Sequence, residues 1–506
     1  MSKSYLPWTQ DQPYLLPPSL RDWLPERHLA WFILDVVATL DLSPIAAAIE
    51  AKDSRGQRPY HPQMMVALLM YGYCTGVFSS RKLERACHED VAFRVISANT
   101  QPHFTTINEF RRVHRDSFAK LFVSGLRLCQ VAGLVKLGHV AIDGTKVQAN
   151  ASKHKAMSYE RMCHEEVRLR EEVERLLRQA ETADAAEDAQ HGPAQLERDL
   201  PEELARREQR LARIEQAKQA LEAGARAQRA ADLRAQAQGM EATARTHPDP
   251  TTQRQLRTRA HNARAQAEQL DPPDEDNPPP PAGGQEDPQA LARKSTPTTT
   301  EGTPTPSAQR NFTDPDSSIM VGRDGFVQAY NCQLAVDEQT QIIVALGVTD
   351  QPPDAQHLLP MLHRIQANLD ALPAHATADT GYWNPQAPDR ARALGCEVLI
   401  ATARTPHGQR HVATPAPEGA AARDDARAQM QARLATPEGR AVYARRKCIV
   451  EPVNGQIKHA QGFRRFSFRG FPAVDAEWNF VGLCHNILKL FRHRGTAKPM
   501  VPVPTG

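Results

Sequence analysis

Apolar positions along the chain change their period several times, and each change marks a different kind of element. Up to about residue 130 they recur at helical spacing. Residues 29–40 form one apolar run. A second helix is predicted to start at His61-Pro62, where proline is tolerated at the first helical position, with Met64, Met65, Leu68 and Leu69 on one face. Ser79-Ser80 can cap a short helix through Cys87, and Thr106 with Glu109 has capping-box spacing ahead of Phe110, Val113 and Leu121. The period shortens over 139–149, where Val140, Ile142 and Val147 predict a β-strand. It lengthens again from Tyr159 to about Gln236. Met162, Leu169, Val173, Leu176 and Ala180, then Leu204, Leu211, Ile214 and Leu221, predict a coiled-coil hairpin turning near Gly192-Pro193 and Pro201. Residues 245–310 are rich in proline, threonine, glutamine and alanine, with a polyproline tract at 278–281. That composition predicts disorder, with room for a weak helix around 251–270.

Strand signals resume at 326–336, a turn follows at 337–340, and 341–348 completes a hairpin. Asp354 can cap a helix bearing Leu358, Leu359, Leu362, Ile365 and Leu369. A short strand at 375–378 ends in Asp379-Thr-Gly-Tyr382, and a helix near 385–394 and a strand at 397–401 follow. A polar, alanine-rich stretch over 402–438 leads into a basic helical segment. Without the block 159–311, the order is three strands including a hairpin, then helix, strand, helix, strand, helix. This is an α/β domain with a mixed sheet. The predicted division is an all-α part at 1–130, the α/β domain at 131–158 plus 312–495, and an insertion at 159–311. Within the insertion, the coiled-coil hairpin occupies 159–236 and the proline-rich stretch 245–310.

Composition changes this picture little. A chain of 506 residues holds more than one domain, and a formal net charge of +3 leaves any polyanion partner to be read from charge distribution. The eight cysteines form no C-x-x-C pair, which argues against a zinc ribbon or a disulfide framework and for a reducing cytoplasm. No stretch reads as a signal peptide or membrane span. Charge is concentrated in one place: residues 440–469 hold eight Lys or Arg and a single acid, Glu451. Arg111, Arg112 and Arg115 decorate the last N-terminal helix. They suit either a DNA groove or a solvated helical face.

Three carboxylates stand out against this framework. Asp143 interrupts an apolar strand, Asp379 closes a later one, and Glu451 follows the last. Placed this way they can converge on one end of a sheet. Asp143 alone, followed by Gly144, equally suits a turn. Oxygen-only ligands suit Mg²⁺ or Mn²⁺, and two such ions roughly 4 Å apart can activate water against a phosphodiester. On a continuous helix Tyr443, Lys447, Glu451 and Lys458 share a face, an arrangement that suits a metal ligand beside phosphates. A Lys447–Glu451 surface pair is the ordinary alternative. Pro452 either kinks that helix or begins it. Asp350 and Asp354 are nearby acids, but neither ends a strand ahead of Gly-Tyr.

With these motifs in hand, the chain resembles the DDE-type insertion-sequence transposases. "HVAIDGTKVQANAS" resembles their first-Asp segment, "TADTGYW" the second, and "YARRKCIVEPVNGQIKHAQGFRRFSFRG" the Glu segment with its Tyr/Arg/Glu/Lys signature. "RPYHPQMMVALLMYGYCTGVFSSRKLE" resembles the InsH-type transposase N-terminal domain. The resemblance implies an RNase H-like catalytic domain behind a helical DNA-binding domain. It also implies Asp143, Asp379 and Glu451 as a catalytic triad holding two Mg²⁺ or Mn²⁺ ions. Lys458 matches the signature lysine, whereas Tyr443 stands eight rather than seven residues before Glu451, and Lys447 with Arg446 replaces the usual arginine. Tyr443, Arg446, Lys447, Lys458, Arg464 and Arg465 are the expected DNA contacts. The implied activity is binding of terminal inverted repeats, cleavage at the element ends and strand transfer. Double-stranded DNA is the implied partner, and the assembly a homodimer or higher synaptic complex. A nuclease of the same fold without strand transfer, or an inactive DNA-binding relic, would carry many of the same signals.

Overall fold

The computed structural model describes residues 19–51, 58–187, 199–272, 287–322, 325–403 and 422–494. The polyproline tract at 278–281 and the turn at Gly192-Pro193 lie outside the described residues. Among the described residues, a 3₁₀ turn (Leu20–Trp23) is followed by seven α-helices: α1 (Leu29–Thr39), α2 (Ser43–Glu50), α3 (Pro62–Thr75), α4 (Ser80–Glu89), α5 (Val91–Ile96), α6 (Phe104–Val113) and α7 (Ser117–Val131). Strand β1 (His139–Gln148) opens the sheet, and a short strand β2 (Ala156–Ser158) leads into α8 (Tyr159–Glu187), α9 (Asp199–Thr246) and α10 (Pro250–Leu270). The chain returns through β3 (Gln309–Asn311), which pairs with β2. Then come β4 (Ser318–Gly322), β5 (Gly325–Asp337), β6 (Ile343–Thr349), α11 (Leu358–Leu369), β7 (His375–Ala378), α12 (Ala387–Leu394) and β8 (Glu397–Ile400). Helices α13 (Ala422–Ala435), α14 (Pro437–Gly455) and α15 (Phe471–Arg494) complete the chain.

The sheet runs β4-β5-β1-β7-β8, with β6 also on β5. β5 is long enough to hold β4 along its first part and β6 along its second. β1 is antiparallel to β5 but parallel to β7, and β7 is parallel to β8. That antiparallel three-strand unit followed by two parallel crossovers is the RNase H-like arrangement, a mixed α/β sheet behind an all-helical front. Successive residues of β5 and β6 are buried without alternation. Since neighbouring side chains on a strand point to opposite faces, both faces of this sheet are covered. The main hydrophobic core is continuous from Ala30 in α1 through the strands to Leu490 in α15, so the N-terminal helices share it with the sheet.

Several local expectations give way to tertiary partners. Thr106 lies inside α6, which starts at Phe104 after His103. Glu109 pairs with Arg112 instead of closing a capping box. The chain breaks at His114, so Leu121 belongs to a separate helix. Arg111 does not face solvent: it is 2% exposed and bound by Tyr73, Phe78 and Glu477. In the insertion, α9 runs ten residues beyond the expected hairpin, to Thr246. Pro201 sits in its first turn, where the missing N–H costs no helical bond. α10 is a full helix, started by Pro250 and capped by the Asp249 carboxylate on the N–H groups of Thr251 and Thr252. It packs on α9 through alanines 230, 237, 260, 263 and 267, a close approach that small side chains permit.

Residues 287–308 also depart from the disorder that composition predicts. Leu291 enters the main core, the Thr349 hydroxyl donates to Ala292 O, Arg364 Nε donates to Gln289 O, and Arg293 pairs with Asp350. The backbone of this strap is satisfied by side chains from the sheet and α11, partners that no local pattern reveals.

Candidate active site

Register places the first two carboxylates. The last β1–β7 pair is Ile142 with Ala378, so Asp143 and Asp379 follow side by side where β7 ends. Asp143 is not in a turn: it lies within β1 opposite Leu334, with Gly144 opposite Gln333. Asp379 leaves its strand and caps the turn Thr380–Tyr382, accepting from Gly381 N at 2.8 Å. Both are partly buried. Burial, then the negative charge of Asp379, pushes the Asp143 carboxyl up to about 7, while Arg446 opposes the shift.

A third carboxylate belongs to this cluster, and it is Asp354. It does not cap α11, whose N-cap residue is His357 with no side-chain bond. Its Oδ1 instead accepts from Asn331 Nδ2 and Gln333 Nε2, both at 2.7 Å. Gln333 in turn accepts from the hydroxyl of buried Tyr382. Asp354 adds to the charge that raises Asp143. The glycines after the two strand aspartates make room for it. A Cβ on Gly144 would stand 2.6 Å from Asp354 Oδ1, and one on Gly381 would stand 3.0 Å from Asp379 Oδ1 and 3.4 Å from Asp354 Oδ2. A sequence signal for this cluster existed. Asn331 and Gln333 are polar residues two apart in the mostly apolar second half of β5, hence on one face.

Glu451 is placed differently. Helix α14 is continuous through Pro452 and then widens into a π-helical turn, Gln456–Ala460. The proline is tolerated because the carbonyl it would have left free, Cys448 O, accepts from Gln341 Nε2 at 3.1 Å. The buried side of α14 presents Arg446, Ile449, Val450 and Val453, and Asn454 Nδ2 reaches Asp143 Oδ2 at 3.4 Å. Glu451 is exposed, with no hydrogen-bond or ion-pair partner among the described residues, so no Lys447–Glu451 pair forms. Among the described residues, no three acidic, histidine or cysteine side chains form a ready-made metal-ligating group.

The expected DNA contacts divide by burial. Arg446 is 8% exposed and acts as an internal counter-charge to Asp143. Tyr443 is half-buried beneath its guanidinium. Lys458 is half-buried and donates to Lys146 O at 2.8 Å; Lys146 donates to Pro352 O at 2.8 Å. Burial lowers the pKa of both lysines, and the neighbouring carboxylates oppose that. Lys447, Arg464 and Arg465 are exposed, the last donating to Ala149 O from beside the end of β1. Arg446, Lys146 and Lys458 are thus the cations that act on the carboxylate cluster, while Lys447, Arg464 and Arg465 are exposed on the same basic segment.

The RNase H-like sheet thus carries two aspartates on adjacent parallel strands, Asp143 within β1 and Asp379 just past the end of β7. Residues 18–113 match a family model described as a transposase domain (DUF772), and residues 295–487 match one described as a transposase DDE domain. The chain belongs to the DDE-type insertion-sequence transposases. No curated protein and no solved structure matches it. The DDE match takes in Asp354, Asp379 and Glu451, whereas Asp143 lies between the two matched regions. Among the described residues, no single helix is long and apolar enough to cross a membrane.

Proposed function

We propose that this transposase binds the terminal inverted repeats of its own element, cleaves the DNA at their ends and joins the freed 3′-hydroxyl to target DNA. Asp143, Asp379 and Glu451 are the proposed catalytic carboxylates. The observation that carries the proposal is the register of β1 against β7, which sets Asp143 and Asp379 side by side.

The residues suit a hard divalent cation. The donors are all oxygen, and the buried acceptors Asn331 Oδ1 and Asn454 Oδ1 have no hydrogen-bond partner. Asp143 and Asp379, with Asp354 beside them and Glu451 from α14, would hold two Mg²⁺ or Mn²⁺ ions. When bound, such ions supply charge neutralisation at the scissile phosphate. The chain's own contribution is positioning. Gln333, Asn331 and Tyr382 fix Asp354; Arg446 balances Asp143; Lys458, Lys447, Arg464 and Arg465 hold phosphates along the rim. The reaction is in-line displacement at phosphorus, first by water, which breaks the P–O3′ bond and frees the 3′-hydroxyl, and then by that hydroxyl on a target phosphate, which breaks the target strand's P–O3′ bond and releases a 3′-hydroxyl there. DNA flanked by the element's inverted repeats is the substrate, and a homodimer or larger synaptic complex the working assembly.

The test is an assay of cleavage and joining with purified protein, Mg²⁺ and a duplex carrying an element end. Asp143→Asn and Asp379→Asn should each abolish cleavage and retain end binding. Cleavage without joining would identify a nuclease, and binding without either would identify an inactive relic. Full activity of either variant would remove that residue from the site.

A further inference from the structure

We propose that the root of the insertion is a second DNA-backbone surface, a cationic groove formed where α8 and α9 meet the turn after β1. This rests on the transposase reading and extends it to a part of the chain that neither family match covers. The groove encloses about 470 Å³. His154 and Lys155 come from the turn, Arg161 from the first turn of α8, and Arg206, Arg210 and Arg213 from one face of α9. No Asp or Glu lines it, and its floor is Met157, Ile214 and Phe312.

The rest of the α8–α9 pair shows what this chain does with cations that serve only structure. Arg168, Arg170, Arg207 and Lys218 each meet a glutamate from Glu165, Glu166, Glu172 and Glu215. At the groove that habit thins out. Arg210 pairs with Glu165, whose charge also reaches Arg161, but Lys155, Arg161 and Arg213 are exposed and make no salt bridge among the described residues. Like charges at helical spacing on a concave wall repel, and an anion lying between them removes the cost. The apolar floor below a cationic rim fits a sugar-phosphate strand, with deoxyribose below and phosphates at the edge.

The chain leading into the groove is also bonded to the basic segment that follows α14. Asn150, three residues before Lys153, donates to Ser467 O at 2.7 Å, and its own carbonyl accepts from Arg469 Nε at 2.9 Å. Arg465 donates to Ala149 O at 3.2 Å. The basic segment 464–469 is therefore fastened to the stretch of chain that leads into the groove. The proposed duplex would meet Arg464 and Arg465 and continue onto Lys155, Arg161 and Arg213.

The full-length protein is titrated against a labelled random-sequence DNA duplex between about 50 and 200 mM salt. Each phosphate contact contributes a slope of about 0.9 in log affinity against log salt, so three contacts add roughly 40-fold to the loss of affinity over that range. Lys155→Ala/Arg161→Ala/Arg213→Ala should lose that 40-fold salt dependence. Lys155→Arg/Arg161→Lys/Arg213→Lys, which keeps the charge, should follow wild type. Should the triple alanine variant not fold, Arg213→Gln alone should flatten the slope by about 0.9. Identical slopes in wild type and the alanine variant overturn the groove and leave the transposase reading intact. So does loss of duplex RNA binding with DNA binding unchanged. Absence of DNA binding by the wild type overturns both.

Discussion

Glu477 ties the N-terminal helices to the catalytic sheet, and its removal should cost the chain a large part of its stability. The carboxylate is fully buried on α15. Oε1 accepts from Tyr73 on α3 at 2.7 Å and from Arg111 on α6 at 3.2 Å; Oε2 accepts from the N–H groups of Ser467 and Phe468 at 2.8 and 3.2 Å. Arg111 is committed to the same site, donating to Phe78 O at 2.9 Å and lying 4.7 Å from the Phe468 ring. Glu477→Ala therefore leaves a guanidinium and two backbone N–H groups buried without their acceptor. Breaking one partner of a buried pair costs about 3–5 kcal/mol, against a whole-domain stability of about 5–15 kcal/mol. Arg111→Met should cost a similar amount, because the carboxylate then lacks its cation. The double variant Arg111→Met/Glu477→Ala removes both charges and should recover part of the loss, giving a coupling energy of a few kcal/mol in a double-mutant cycle. The assay is denaturant unfolding followed by the fluorescence of buried Trp478, the residue after Glu477. A Glu477→Ala cost below about 1 kcal/mol, or additive single-variant losses, would refute the argument.

Four further outcomes follow from the site and the insertion. Because the folded-state pKa of Asp143 is raised to about 7, the metal-free protein should become more stable as pH falls from about 7 toward the ordinary carboxylate range, and Asp143→Asn should remove that slope. By the same proton, apparent Mg²⁺ affinity, measured as a thermal shift, should weaken below about pH 7. Asp354→Asn should shift the Mg²⁺ dependence of cleavage to higher concentration while leaving DNA binding unchanged; an unaltered Mg²⁺ curve would make Asp354 purely structural. Replacing residues 160–307 by a short Gly/Ser turn should preserve the β2–β3 pair and the sheet. It should cost about 1.5–3 kcal/mol through the lost burial of Leu291, measurable by denaturation. Circular dichroism showing global unfolding would place the boundary elsewhere.

The sequence alone determined what depends on local periodicity. Val140, Ile142 and Val147 mark β1, and the apolar runs at 326–336, 341–348, 375–378 and 397–401 mark β5, β6, β7 and β8 to within two residues, whereas β4 carried no such mark. The order of those elements admits the RNase H-like sheet, and the carboxylate inside β1 and the one closing β7 already pointed to Asp143 and Asp379. What the pattern could not settle was every choice made by a distant partner. Arg111 is an arginine on a helix face until Glu477 arrives from 366 positions away. Asp354 has the spacing of a cap, yet two amides on β5 offer its carboxylate better donors than the first turn of α11. Pro452 stays within a helix because Gln341 replaces the bond it removes. The strap at 287–308 is ordered by Thr349 and Arg364 despite its composition. Periodicity records which face of an element is apolar. The polar bonds that decide where buried charges sit form between elements, and only the folded chain brings those together.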